Sequence, residues 1–361
     1  MICSLPLRGT LMMLELTLLI SFAISLGVTP FVIKLANRMG ATDKPNYRKV
    51  HKAAIPSLGG ISIFIAFIIG VMIIQPEESF HLAFILGAFI VFITGLLDDI
   101  YDLRPSYKLA GQLLAAFVVV YLGEIQVTFI NLPFGNTLEF GILSIPITII
   151  WIVGVTNAIN LIDGLDGLAA GVSSIALICI AGMAFIMSDA YVLAIALLLL
   201  ASTVGFLFFN FHPAKIFMGD TGALFLGYVI AVLSLLGFKN VTFISFIIPI
   251  LILGVPISDT FFAIIRRLIN KKPLSAPDKS HFHHCLLKLG FSHRQTVLII
   301  YAISALFGLS AFIFSLTTVW GSILFITILV LLIELGAEKI GLINQQYKPL
   351  LRFVKGFNKN R

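Results

Sequence analysis

Long apolar runs recur along this chain of 361 residues, and no other feature constrains its fold as strongly. Runs of spanning length fall near 11–34, 58–75, 81–97, 108–123, 142–160, 168–187, 190–209, 221–237, 243–265, 296–316 and 318–335. A helix of about 20 apolar residues crosses the hydrocarbon core of a bilayer. So many runs cannot all be hidden in a water-soluble core, and 11% charged residues are too few for a soluble surface of this size. Backbone groups inside lipid must be satisfied within their own segment, which favours helices. The predicted fold is an all-α polytopic integral membrane protein with about eleven transmembrane helices. The first run stays as a membrane helix, because no small-residue cleavage site follows it.

Lysine and arginine orient the chain, since cytoplasmic loops carry them in excess. With the N-terminus outside, only Arg8 and Lys239 of the 24 basic residues fall on the outer face. That sorting predicts an odd number of spans and a cytoplasmic C-terminus. It also explains the net charge of +7 without nucleic-acid binding. Residues 1–337 read as one transmembrane domain with cytoplasmic loops at about 35–57, 98–108, 157–167, 210–222 and 266–295; a basic tail follows over 338–361. The outer segment around 124–141, with its Leu-Pro-Phe-Gly-Asn turn, predicts a small hairpin or a surface-lying segment. Cys3, Cys179 and Cys285 have no metal-type or redox-type spacing and read as structural.

Polar residues concentrate in the inner loops. The densest stretch, 155–168, carries Asn157, Asn160, Asp163 and Asp166 at a strict spacing of three, with Gly164 and Gly167 behind the two acids. On a helix, Asn157, Asn160 and Asp163 then share an arc of roughly 120°. An ionisable residue at a membrane helix usually marks a site. Asp98, Asp99 and Asp102 are three acids in five positions at a helix end. A solvated helix end is one reading of them, and a divalent-metal or phosphate-handling site is the favoured one. Their hard oxygens favour Mg²⁺ or Mn²⁺ over zinc. In Met218-Gly219-Asp220-Thr221-Gly222 an aspartate begins a helix, where it serves either as a cap or as a metal ligand beside free N–H groups. His281, His283 and His284 lack the companions of a zinc site. With Arg266, Arg267, Lys279, His51 and Lys52 they read as anion-binding bases, although positive-inside charge accounts for any one of them alone. Acids for a divalent cation and bases for phosphate, on the cytoplasmic face of a helical bundle, suggest phosphoryl transfer involving a lipid.

These motifs resemble those of the polyprenyl-phosphate N-acetylhexosamine-1-phosphate transferases. The resemblance runs from about Lys34 to about Leu287. It rests on His51-Lys52 with Pro56 and Gly59-Gly60, on Asp98-Asp99, on Asn157 to Gly167, on Asn210 to Gly222, and on His281 to His284. It implies a bacterial plasma-membrane enzyme needing Mg²⁺ or Mn²⁺, which moves a sugar 1-phosphate from a UDP-sugar to undecaprenyl phosphate and releases UMP. By motif, Asp98 matches the acid nearest the lipid phosphate, Asp99 its partner and Asp220 the metal ligand, with Asp99 beside it. Asn157, Asn160, Asp163, Asp166 and Asn210 match the nucleotide and metal surroundings. Lys52 and the histidines match groups that hold phosphates. Phe282 interrupts what is a run of three histidines in the muramyl-pentapeptide branch, so the resemblance favours a UDP-GlcNAc donor and a role such as the teichoic-acid linkage unit. The muramyl-pentapeptide reaction is the runner-up. Direct attack and a covalent aspartyl intermediate both stay open, and a homodimer is compatible with the sequence. A secondary transporter would instead place paired polar sites near mid-membrane.

Overall fold

A computed structural model of the chain describes residues 5–43, 54–131, 136–237, 243–271, 273, 280–316 and 319–340. Thirteen α-helices account for nearly all of these: α1 (Leu5–Met39), α2 (Gly60–Ile74), α3 (His81–Tyr101), α4 (Pro105–Leu122), α5 (Ser144–Ile162), α6 (Leu168–Ile186), α7 (Ala190–Asn210), α8 (Gly219–Leu236), α9 (Phe243–Ile252), α10 (Gly254–Ile269), α11 (Phe282–Lys288), α12 (His293–Ser315) and α13 (Val319–Ile340). Two small antiparallel pairs and a single 3-10 turn (Gly141–Leu143) complete the regular structure of the described residues. β1 (Thr42–Asp43) pairs with β2 (Ile55–Pro56), and β3 (Phe129–Asn131) pairs with β4 (Thr137–Glu139). The second pair is the hairpin expected near 124–141.

The protein is an all-α polytopic membrane protein. Among the described residues, eight helices are long and apolar enough to cross a bilayer, and two shorter apolar helices cover Gly60–Ile74 and Ile323–Gly336. Every run expected to span is helical. The run at 243–265 differs from expectation, because it is two helices broken at Leu253. Pro249 lies inside α9, and Pro256 lies in the first turn of α10. Proline removes a backbone donor and crowds the preceding turn, so an uninterrupted helix is costly there.

Helix α8 is the centre of the bundle. Each of its residues from Thr221 to Leu236 is buried, and it packs against α3, α5 and α2. Close packing of its cytoplasmic end depends on missing side chains. A Cβ on Gly60 would overlap the backbone of Thr221 and Gly222, and one on Gly95 would lie 2.5 Å from the Asp220 carbonyl oxygen. Small residues at helix crossings let backbones approach this closely in membranes, where lipid tails leave helices little hydrophobic reason to associate.

Local signals set the helix ends that face the site. Asp102 ends α3 in the left-handed region (φ 53°), a conformation aspartate tolerates better than most residues. Pro105 then opens α4 at a position where no N–H is required. Ser292 and Gln295 form a reciprocal capping box at the start of α12. The segment after β2 is tied to the segment before α8: Phe217 N–H donates to Pro56 (2.8 Å), Gly59 N–H to Phe217 (3.0 Å) and Gly60 N–H to Met218 (2.9 Å). These bonds hold Gly219 and Asp220 beside the end of α3.

Candidate active site

One polar cleft of about 590 Å³ opens where α3, α5, α8 and α11 end or begin. Seven aspartates line it: Asp43, Asp98, Asp99, Asp102, Asp163, Asp166 and Asp220. Asn210, His283, His284 and His293 join them. All five polar loops singled out in the sequence therefore contribute to one place, the first of them through Asp43. Lys52 and His51 lie outside the described residues.

Asp98 and Asp99 are adjacent in sequence but do different work. Asp98 accepts from Leu103 N–H (3.0 Å) and from the Lys108 ammonium (3.0 Å). Lys108, one turn into α4, also reaches Asp220, so one ammonium bridges the two acids. Asp99 turns to the start of α8. It accepts from Asp220 N–H (2.9 Å), Thr221 N–H (2.9 Å) and the Thr221 hydroxyl (2.5 Å). A carboxylate there satisfies backbone donors that a helix leaves unpaired in its first turn and also faces the positive end of its dipole. Gly219 (φ 70°) leaves the room this requires, since a Cβ on it would overlap the Asp99 carboxylate. Carboxylate oxygens of Asp98, Asp99 and Asp220 lie within 4.8 Å of one another.

Asn160 donates to the second oxygen of Asp220 (2.9 Å). Asp163, which caps α5, lines the cleft beside it. Burial raises the Asp163 pKa, the negative charges of Asp220 and Asp166 raise it further, and together they push it to about 7. Asn157 shares the arc with Asn160 but turns away from the cleft. Its amide exchanges hydrogen bonds with Gln112 and donates to the Val153 carbonyl (2.8 Å). Asn210 donates to the Ile216 carbonyl (2.9 Å), while its buried amide oxygen has no hydrogen-bond partner among the described residues. Asp166 holds the His212 ring nitrogen at 2.7 Å and accepts from Ala214 N–H (3.0 Å), with the His293 Nε2 at 3.8 Å. The His212 and His293 rings stack with centroids 4.1 Å apart.

The histidine motif divides its residues between two environments. His283 lies against Gly164, where any Cβ would meet its ring at 2.5 Å. It is pushed down to about 3 by burial and by neighbouring His284, so it is neutral at physiological pH. His283 and His284 line the cleft, whereas Phe282 lines a separate apolar cavity of about 360 Å³ with Val255, Phe262 and Phe307. His281 is buried and paired with Asp259 (2.8 Å), and it does not line the cleft. Arg266 and Arg267 are buried in the last turn of α10 and also stand apart from the cleft lining.

Lys108, Gln112, Asp259, His212 and His293 were not singled out as site residues from the sequence. In the sequence Lys108 reads as inner-face charge, and Asp259 lies within an apolar run. His212 had a usable signal, since it stands two residues after Asn210 in the same motif.

The chain also resembles known proteins. Residues 81–238 match the family described as glycosyl transferase family 4. A probable undecaprenyl-phosphate N-acetylglucosaminyl 1-phosphate transferase of Bacillus subtilis (strain 168) is 48% identical over 340 residues, covering 93% of this chain and 95% of the relative. A decaprenyl-phosphate N-acetylglucosaminephosphotransferase of Mycobacterium leprae (strain TN) is 33% identical, covering 76% of each chain. An undecaprenyl-phosphate alpha-N-acetylglucosaminyl 1-phosphate transferase of Escherichia coli (strain K12) is 29% identical, covering 76% of this chain and 77% of the relative.

Proposed function

Because the chain belongs to glycosyl transferase family 4, we propose that it transfers GlcNAc 1-phosphate from UDP-GlcNAc to undecaprenyl phosphate. A phosphate oxygen of the lipid forms a bond to the β-phosphorus of the donor. The bond from that phosphorus to the bridging oxygen breaks, UMP leaves with that oxygen, and undecaprenyl-pyrophosphoryl-GlcNAc remains. The reading is carried by the convergence of Asp98, Asp99 and Asp220 in a cleft that also holds His283 and His284.

The donor set fits a hard divalent cation, Mg²⁺ or Mn²⁺. Three carboxylates face one point, and the Lys108 ammonium already bridges two of them, so positive charge is what that point accommodates. Asp98, Asp99 and Asp220 would hold the ion, which would supply neutralisation of phosphate charge. The chain's own residues do the positioning. A phosphate monoester has its second pKa near 6, so the lipid nucleophile is already largely ionised at neutral pH and Asp98 orients it more than it deprotonates it. Asn160 fixes the Asp220 carboxylate, and the neutral His283 and its neighbour His284 offer ring nitrogens toward the donor. Lys52 serves the donor phosphates in the same reading. His281 anchors the start of the histidine helix through Asp259.

The same proposal puts the cleft on the cytoplasmic side, with eleven crossings, the N-terminus outside and the α9–α10 pair making one broken crossing. It assigns the product to a cell-envelope glycopolymer such as the teichoic-acid linkage unit. Purified protein should release UMP from UDP-GlcNAc only when undecaprenyl phosphate is supplied, and EDTA should stop it. UMP release independent of the lipid, or preference for the muramyl-pentapeptide donor, overturns this reading.

A further inference from the structure

Asp259 lies on α10 with only 3% of its surface exposed. A buried carboxylate is costly unless its oxygens are satisfied. Both are satisfied by the start of α11. One oxygen accepts the backbone N–H of Phe282 (2.8 Å) and the other pairs with Nδ1 of His281 (2.8 Å). The His281 side chain makes no cap of its own at α11, so a neighbouring helix supplies the capping acceptor.

Two consequences follow from these bonds. With a carboxylate oxygen as its partner, Nδ1 of His281 carries a hydrogen. Fixing Phe282 N–H and the His281 ring together also fixes the rotation of the short helix that follows. That rotation sends Phe282 to the apolar cavity and His283 to the cleft, against Gly164. The His281 and His283 rings are parallel within 4°, with centroids 6.1 Å apart, so a tilt of one changes the space available to the other.

We propose that Asp259 is a positioning residue for the donor side of the cleft: its two hydrogen bonds set the rotation of α11 and the tautomer of His281, and through them the placement of His283 and His284. This rests on the proposed transfer reaction, and the test separates the two. Asp259→Ala removes both acceptors. Asp259→Asn keeps an oxygen for Phe282 N–H but presents an N–H to His281, which forces the ring hydrogen onto Nε2.

Steady-state kinetics should be measured for each substrate, with UDP-GlcNAc binding measured by calorimetry and His281 followed by ¹⁵N chemical shifts. Asp259→Ala should raise the UDP-GlcNAc KM and Kd about tenfold or more, because His283 and His284 are then displaced from the donor. The undecaprenyl phosphate KM should stay within about twofold, since no acceptor contact is removed. Asp259→Asn should fold like the wild type, show the shifted tautomer and fall between the two in donor KM. A purely structural role would lower the melting temperature and the active fraction while leaving both KM values alone, and that result overturns the proposal. So does an unshifted tautomer with wild-type donor KM in Asp259→Asn, which decides the matter even if Asp259→Ala does not fold. Wild-type protein that neither binds nor turns over UDP-GlcNAc would instead defeat the proposed reaction.

Discussion

Thr221 gives the Asp99 carboxylate two hydrogen bonds, one from its backbone N–H at 2.9 Å and one from its hydroxyl at 2.5 Å. The second acid of the Asp98-Asp99 pair therefore joins α3 to the first turn of α8 while facing the same point as Asp98 and Asp220. Asp99→Ala should abolish transfer and also lower the melting temperature, because each hydrogen bond to a charged group contributes about 1.5–3 kcal/mol. Asp99→Asn keeps one acceptor oxygen and should melt between the two. Thermal unfolding of Asp99→Ala at the wild-type temperature would show that the cap contributes nothing to stability.

Lys108 bridges Asp98 and Asp220 at the point proposed for the cation. Lys108→Gln should melt lower than the wild type in EDTA, since two carboxylates lose their counter-charge. Added Mg²⁺ should then stabilise the variant by more degrees than it stabilises the wild type, because the ion no longer competes with an ammonium. Equal Mg²⁺-dependent shifts in the two proteins would argue against a shared position.

Asp163 is pushed up to about 7, first by burial and then by Asp220 and Asp166. An acid with a raised folded pKa binds a proton in the folded state that the unfolded chain has already released, so stability falls as pH rises from about 4 to about 7. Asp163→Asn removes that loss. The variant should melt higher than the wild type at pH 8, the gap should close toward pH 4, and activity should be lost throughout. A variant that melts no higher at pH 8 contradicts the crowding of charge at this position.

His283 shifts in the other direction, to about 3, through burial and the neighbouring His284. Its folded state resists a proton that the unfolded chain takes up below about 6.5, so stability falls as pH drops from about 6.5 toward 3. The slope is about 1.4 kcal/mol per pH unit for one such group. His283→Gln should therefore lose melting temperature less steeply than the wild type between pH 6.5 and 5. Parallel acid profiles would mean that the ring is reached by solvent.

The membrane helices were legible because hydrophobic runs report length directly. The break near Leu253 was also written in the chain, as Pro249, Gly254 and Pro256, but it was masked by continuous apolarity on both sides. Spacing pointed to Asp163 and Asp166, which line the cleft, and to Asn160, which reaches it through Asp220, but it included Asn157, which sits on the same arc and is drawn away by Gln112. Arc position on one helix says which residues share a face, while the partner's side chains decide which of them reach the cavity. Asp259 and Lys108 were missed for a related reason. Their roles come from residues 22 and 112 positions away in sequence, and pairing at that range is set by the packing of helices rather than by any local pattern.

The glycine contacts of α8 bear on how such an enzyme can move. Where Gly60 and Gly95 bring backbones together, no side-chain layer separates the helices, so α2, α3 and α8 meet main chain to main chain at the acidic centre. Alternating access by rocking helices requires a lubricated seam, and here the seam at the acidic centre is locked by main chain. The other wall of the cleft is held differently: α11 packs on α12 and is tied to α10 through the Asp259 carboxylate. Cold or stiff membranes that slow helix rearrangements should on this account slow the catalytic cycle less than they slow a carrier of similar size.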